Sequence, residues 1–307
     1  MNARDITTSS EPSCLICHSP QYDPYLVVPN RFHPEEAFSL VQCSQCGFIF
    51  LNPRPDEKEM TNYYEEEDYQ PHQQDPKNVS EYIYQKVRYW NSRYKRRMIE
   101  SLTTRRTILD YGCGTGEFLL EMQQGGWRTY GYEPAEKARH IAIQYGLTLL
   151  ESLDQLSSPV DVITLWHVLE HIHEPISLLK HLKKILTAEG LLVIAVPNPL
   201  SIDSRLFRKN WVAYDAPRHL YHFRPSDLES LLQPLGFRIV AYRGLYFDPW
   251  YNALLSAQLE SRHKSLTKKV FIMVKGFLAA ILAFGQGILF KKKNSSVIYV
   301  IKSEDLQ

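Results

Sequence analysis

Residues 107–117 read Thr107-Ile108-Leu109-Asp110-Tyr111-Gly112-Cys113-Gly114-Thr115-Gly116-Glu117, and the fold turns on how they are parsed. Thr107-Ile108-Leu109 has the β-branched, apolar character of a short buried strand. Asp110 closes it, three alternating glycines follow, and Glu117-Phe118-Leu119-Leu120-Glu121-Met122 opens a helix. Strand, turn and helix N-terminus form a cradle where backbone N–H groups and the helix dipole meet an anionic group. Glycine suits such a turn because it reaches positive φ and puts no Cβ between backbone and ligand. The spacing is G-x-G-x-G, at 112, 114 and 116, not the G-x-G-x-x-G of a dinucleotide site.

A second strand, Arg128-Thr129-Tyr130-Gly131-Tyr132, ends in Glu133, which lies 21 positions (133 − 112) past Gly112. That is close to the ~20 expected of a carboxylate that grips a ribose. Together, D-x-G-C-G-T-G from Asp110 to Gly116 and the acid-ended second strand resemble the class I S-adenosylmethionine-dependent methyltransferases. The resemblance implies an α/β fold, a Rossmann-like, mostly parallel sheet of seven strands whose last strand is antiparallel. It also implies S-adenosylmethionine as cofactor. Asp110, Gly112, Cys113, Gly114 and Gly116 would surround its methionine part, and Glu133, followed by Pro134, would accept from both ribose hydroxyls. Ser152 or Leu153 would border adenine. Trp166 and His167, at the end of the fourth strand, complete the expected cofactor set.

With 307 residues, 44% hydrophobic and 22% charged, the chain can bury a full core and carries one large domain plus an appendage. A net charge of +1 gives no global field for nucleic acid. Met1–Ser10 is polar, reads as a disordered tail, and is followed by no signal-peptide core, so a cytoplasmic location with reduced thiols is expected.

Four of the five cysteines form Cys14-x-x-Cys17 and Cys43-x-x-Cys46. Paired C-x-x-C turns suit tetrahedral Zn²⁺, because each aims two thiolates at one point roughly 2.3 Å away. Gly47, after Cys46, allows the tight turn of such a knuckle. No open ligand position is evident, so the zinc would be structural; a redox or disulfide role is the alternative. The module, 11–55, would end in the strand Phe48–Leu51. C-x-x-C…C-x-x-C-G-F-I-F-L-N-P-R-P followed by Tyr63-Tyr64 is similar to the N-terminal module of bacterial methyltransferases acting on sugars and surface glycans.

A linker and helix occupy 56–104. The helix is expected over Glu81–Ser101, with Ile83, Val87, Trp90, Tyr94 and Met98 on its apolar side. Arg93, Lys95, Arg96 and Arg97 make a basic side, read as solvated rather than as a nucleic-acid patch. From 105 to 307, strands and helices alternate as a parallel sheet requires. Further strands are expected at 147–150, 161–166, 191–196, 237–243 and 296–301. Helices fall near 134–145, 175–186 and 226–235, the last capped by Ser226 or Pro225.

An insertion, 246–294, separates the last two strands. It holds a mostly apolar run, Val270 to Phe290, between Lys268-Lys269 and Lys291-Lys292-Lys293. Its length would span a bilayer, but the following strand must return to the sheet, and Lys275 and Gly276, Gly285 and Gly287 weaken a spanning helix. Two readings stand: a helix packed as a lid or dimer surface, or a peripheral helix at a membrane interface.

Ligands of open parallel sheets bind beyond the strands' carboxyl ends. There His167-Val168-Leu169-Glu170-His171 resembles the E-V-L-E-H segment of ubiquinone-biosynthesis O-methyltransferases, associated with a divalent metal, with His167 replacing the first glutamate. Four-residue spacing would put His167 and His171 on one helical turn. In the loop after the fifth strand, Arg218-His219-Leu220-Tyr221-His222 offers His219 as general base, with His222 and Tyr221 behind it; His167 is a further catalytic candidate. Arg218 and Arg224 would meet an acidic group of the acceptor. His33 reads as a surface or packing residue. The function expected is methyl transfer to oxygen or carbon of a small molecule, a sugar or glycan, or a quinone-like acceptor. Alternatives are an RNA base methyltransferase, opposed by the low net charge and by Glu65-Glu66-Glu67-Asp68, and a non-catalytic zinc- and cofactor-binding protein.

Overall fold

The computed structural model describes residues 13–33, 35–64, 79–262 and 264–304. The polar tail and the acidic stretch 65–68 lie outside them. Three strands come first, β1 (Tyr22–Pro29), β2 (Ala37–Cys43) and β3 (Ile49–Leu51), then a short helix α1 (Glu57–Thr61) and the long helix α2 (Val79–Glu100). Alternation begins with β4 (Thr107–Tyr111), α3 (Glu117–Gln124), β5 (Arg128–Tyr132), α4 (Glu136–Gln144) and β6 (Leu149–Leu150). It continues through β7 (Val160–Trp166), α5 (Pro175–Ile185), β8 (Leu186–Pro197) and α6 (Ile202–Phe207). The remainder is β9 (Tyr221–His222), α7 (Pro225–Leu232), β10 (Phe237–Gly244), α8 (Asp248–Ser261), α9 (Leu266–Leu289) and β11 (Ser296–Ser303).

The main sheet has seven strands in the order β10-β11-β8-β7-β4-β5-β6, with β11 antiparallel to both its neighbours and the other pairings parallel. Strand order reverses between β4 and β7, so the crevice for a ligand opens above the carboxyl ends of those two strands. Central strands are buried on both faces. Leu109, Ile163, Leu192 and Tyr299 pack on one side, Ile108, Val162, Val193 and Ile298 on the other. Adjacent residues alternate between the two cores because side chains alternate along a strand.

A second sheet, β1-β2-β3-β9, crosses the boundary expected near residue 55. Ile49 pairs with His222 and Phe50 with Tyr221, so the loop after α6 closes the cysteine module's sheet. Phe48 stacks on Tyr221 at 6.0 Å and packs against Phe223 at 5.4 Å. Module and main domain therefore share a core.

Two expectations are corrected. The basic side of α2 is not simply solvated: Arg96 pairs with Glu121 of α3 at 2.9 Å and Arg88 with Glu117 at 2.6 Å, while Trp90 is 51% exposed. The cap of α7 is Arg224, whose backbone N–H and guanidinium both reach Asp227, with Pro225 in the first helical turn. The helix expected in the insertion is present as α9, and it forms an antiparallel hairpin with α8. A Cβ on Gly276 would come within 2.6 Å of the Ala257 methyl, so the glycine is where the two helices touch.

Candidate active site

The glycine turn joins β4 to α3 with positive φ at all three glycines (75°, 56° and 85°). Their duties differ. A Cβ on Gly112 would lie 2.5 Å from Val168 and one on Gly116 2.1 Å from Leu147, so both permit close packing. A Cβ on Gly114 would meet nothing within 4 Å. That open side is where a ligand can approach.

Glu133, 5% exposed, stands at the end of β5 and is anchored by two backbone donors. Gly114 N–H gives to Oε2 (2.8 Å) and Ala135 N–H to Oε1 (2.9 Å). Burial raises its carboxyl, and those two donors pull the other way. Each oxygen keeps a lone pair for a hydroxyl. Asp110 is buried beneath the turn and accepts from Thr164 Oγ1. Burial lifts Asp110 to about 7 and lowers the neighbouring Lys95 to about 8, each moderated by the other's charge. Lys95 Nζ lies 4.2 Å from the Trp166 ring centroid. Cys113 is partly buried, and burial raises its thiol. Pro134 is exposed. Ser152 caps the turn that follows β6, and Leu153 is buried in the core.

A cavity of 430 Å³ adjoins this cradle, lined by His167, His171, Asp215, His219, Asp248 and Tyr251 among others. Arg88 lines it too, and its pairing with Glu117, the residue after Gly116, places cavity and cradle side by side. Arg31 of the cysteine module, Val87 and Asn91 of α2, and the first two turns of α8 contribute to the rest of the wall.

His167 adopts a left-handed backbone (φ 57°) at the end of β7. This turn corrects the expected arrangement: only Leu169–His171 forms a short 3₁₀ turn, and His167 and His171 do not share a helical face. The His167 ring lies between two carboxylates, with Nε2 2.9 Å from Asp248 Oδ2 and Nδ1 3.4 Å from Glu170 Oε1. Burial alone would lower its pKa, but the Asp248 charge, helped by Glu170, overcomes this and holds it at about 9. Glu170 is 1% exposed, and among the described residues neither of its oxygens accepts a regular hydrogen bond.

His219 is the opposite case. Its Nδ1 lies 2.8 Å from the Ala213 carbonyl and must therefore carry the proton. Burial, then His171 and His222, keep the ring neutral, well below the usual histidine range. Nε2 is left as an acceptor, 4.0 Å from Glu170 and 3.9 Å from Asp215. Burial raises Asp215 to about 7 despite Arg31 nearby.

Other expected residues are occupied elsewhere. His222 is 2% exposed, packs edge-on against Tyr214 at 5.0 Å, and does not line the cavity. Tyr221 accepts from Arg54 and donates to the His173 carbonyl. Arg224 is spent on Asp227 and the Cys46 carbonyl (2.9 Å), bracing the module rather than facing an acceptor. Arg218 grips both oxygens of Asp215 at 2.8 and 2.7 Å, on the cavity wall. His33 is a surface residue, 3.5 Å from Glu35. Asp248 escaped the sequence reading because nothing near it in the chain marks it; it is 81 positions from its partner.

Two groups have the donor set for a metal. The sulfurs of Cys14, Cys17, Cys43 and Cys46 lie within 4.8 Å of one another, with Cys14–Cys46 and Cys17–Cys43 both at 3.5 Å. A tetrahedral zinc with bonds of about 2.3 Å sets its sulfurs about 3.8 Å apart, so the cluster fits. The two knuckles are alike: His18 (φ 59°) and Gly47 (φ 74°) follow their second cysteines and donate to the Cys14 and Cys43 carbonyls. Glu170, His171 and His219 form the other group, in place of the expected trio with His167.

A family profile described as a methyltransferase domain matches residues 82–242, just over half the chain. The ubiquinone biosynthesis O-methyltransferase of Idiomarina loihiensis is 27% identical over 166 residues, 48% of this chain and 68% of that protein. The enzyme of the same description from a Ruegeria species is 28% identical over 158 residues, 46% and 64% of the two chains. Among solved structures, a magnesium protoporphyrin IX methyltransferase from Synechocystis with bound SAH has a TM-score of 0.48 at 15% identity, over 76% of this chain and 90% of that one. A SAM-dependent methyltransferase from Archaeoglobus fulgidus gives 0.47 at 20%, over 74% and 100%.

Proposed function

This chain belongs to the class I S-adenosylmethionine-dependent methyltransferases, and on that premise we propose that it methylates the hydroxyl oxygen of a small phenolic, quinol-like acceptor. When bound, S-adenosylmethionine supplies a methyl group already activated on a sulfonium. Glu133 is suited to hold its ribose hydroxyls, the open side of Gly114 to admit its backbone-facing part, and Asp110 to keep the turn in shape through Thr164.

The reading rests on His167, set between Asp248 and Glu170 where the cavity adjoins the cradle. Asp248 accepts from Nε2–H and fixes the ring, which leaves Nδ1 to take the acceptor's proton. Glu170 beyond Nδ1 stabilises the imidazolium that results. A base near 9 matches a phenol, whose pKa is about 10, far better than it matches a sugar hydroxyl. His219, held neutral, offers Nε2 as an acceptor that orients the hydroxyl. Bringing acceptor and methyl group together in line accounts for much of the rate, up to about 7–11 kcal/mol.

Structural zinc at the four cysteines fits this scheme, because the module carries Arg31 into the cavity and anchors the loop of His219 through β9. The unmet oxygens of Glu170 favour a second reading for the acceptor end. There Glu170, His171 and His219 would hold a divalent cation, which would supply charge to polarise an acceptor oxygen.

The test is methyl transfer to a panel of catechols, quinols and sugars, read by mass spectrometry of the product, with wild type and His167→Gln. Methylation of a phenol, lost in the variant while cofactor affinity holds, supports the reading. Methylation of sugars alone overturns it.

A further inference from the structure

α9 is a 24-residue helix, about 36 Å long, that buries one side and leaves the other apolar and bare. Its buried side is mostly small: Gly276, Ala279, Ala280, Ala283 and Gly287, with Ile272 near its start. Its outward side carries Phe271 (73% exposed), Met273, Val274, Leu278, Leu282 and Leu289 (75%). These positions spread over about half a turn at 100° per residue. A packed lid would hide this half, and no described part of the chain covers it.

We propose that α9 docks the protein on an anionic membrane surface, lying in the plane of the interface with this apolar half in the lipid. Charge chooses the occupant. From Ser261 to Ser303 the sequence has no Asp or Glu, while Lys264, Lys268 and Lys269 stand at one end of the helix and Lys291, Lys292 and Lys293 at the other. All six are exposed; Lys292 is also paired with Glu229 at 3.1 Å, which leaves five for a headgroup surface. Two copies packed through this face, parallel or antiparallel, would bring lysine cluster against lysine cluster. Anionic headgroups at both ends of the helix satisfy the same charges.

The helix lies along the surface and does not cross. β10 and β11 pair directly, Gly244 with Val297, so both ends of the insertion return to the same edge of the sheet. α9 is held flat along α8 by the Ala257 contact of Gly276 and by Lys275 bonding to Glu260 at 2.7 Å, and is tied to α6 by Gln286 accepting from the Ile202 N–H. Phe277 and Phe284 pack on Trp250, two residues past Asp248, so the docking helix is tied to the cavity wall. The inference is independent of which acceptor the cavity takes.

Vesicle flotation of the full-length protein tests it. Vesicles of phosphatidylcholine alone are compared with equal parts phosphatidylcholine and phosphatidylglycerol. The protein is expected to float with the anionic vesicles at least about tenfold more than with the neutral ones, and to come off as salt rises. Phe271→Ser with Leu278→Ser, and separately Lys268→Gln with Lys269→Gln, should each cut flotation severalfold. All four side chains are exposed, and S-adenosylhomocysteine affinity checks that each variant is folded. Three results would overturn the proposal: no flotation of the wild type with anionic vesicles, flotation of the serine variant equal to wild type, or a dimer by light scattering that the serine variant dissociates.

Discussion

Asp248→Asn is the most informative change to the chemistry. Asparagine keeps an oxygen for the Nε2–H of His167 but removes the charge 2.9 Å away. With charge centres about 4 Å apart and an effective dielectric constant of about 20–40, that charge contributes about 2–4 kcal/mol, or about 1.5–3 pH units. His167 is a third exposed, so screening favours the lower end. In the wild type the base form of His167 appears only as pH passes about 9, and kcat/KM for the acceptor should fall about tenfold per pH unit below it. In Asp248→Asn this limb should move to between about 6 and 7.5, nearer the upper figure given the screening. Its plateau should be lower, by about tenfold, because a weaker base takes the proton. Stability carries the same sign. A histidine raised from 6.5 to about 9 on folding stabilises fully below 6.5, and that contribution is lost as pH rises through 9. The variant should lose this dependence between about 7.5 and 9. Initial rates from pH 6 to 10 and melts over the same range read both effects. A limb that stays near 9 in Asp248→Asn would refute the pairing as the origin of the base.

Glu133→Gln should weaken S-adenosylhomocysteine binding by about 1.5–3 kcal/mol, ten- to hundredfold by calorimetry, since charge-assisted hydrogen bonds are lost. Gly114→Arg should abolish that binding while zinc content stays normal, because its side chain enters the open side of the turn; Gly116→Ala should instead lower the melting temperature by clashing with Leu147. His219→Ala should slow turnover without weakening cofactor affinity, and unchanged turnover would return His219 to a structural role. Removing zinc with a chelator, or Cys46→Ser, should lower both melting temperature and turnover, checked by metal analysis alongside activity, because the module braces the His219 loop through β9 and Arg224.

Local patterns were readable and distant pairings were not. Each of the seven strands of the main sheet could be placed from apolar runs, because a doubly covered sheet is apolar on both faces and turns are marked by Gly, Pro and Asp. The cysteine knuckles declared themselves through spacing. Glu133 was visible from its distance to Gly112, a consequence of fixed βαβ geometry. In contrast, the Asp248 partner of His167 comes from an insertion, and no local pattern encodes a contact made across 81 positions. Gly276 was read only as weakening its helix, because sequence shows its cost in propensity but not the helix α8 that packs on it. The arginines of α2 looked solvated because their partners Glu117 and Glu121 lie on another helix. His222 shares a motif with His219, yet it sits in β9 opposite Ile49 and packs on Tyr214, off the cavity that His219 lines.

The central claim is that one carboxylate at the end of β5 and one open glycine turn seat a sulfonium nucleoside beside His167. A crystal structure of the protein with S-adenosylhomocysteine tests it most directly. The account predicts the ribose hydroxyls on Glu133 and the sulfur facing the cavity that His167 lines. Ligand bound elsewhere, or a sulfur turned away from that cavity, would contradict it.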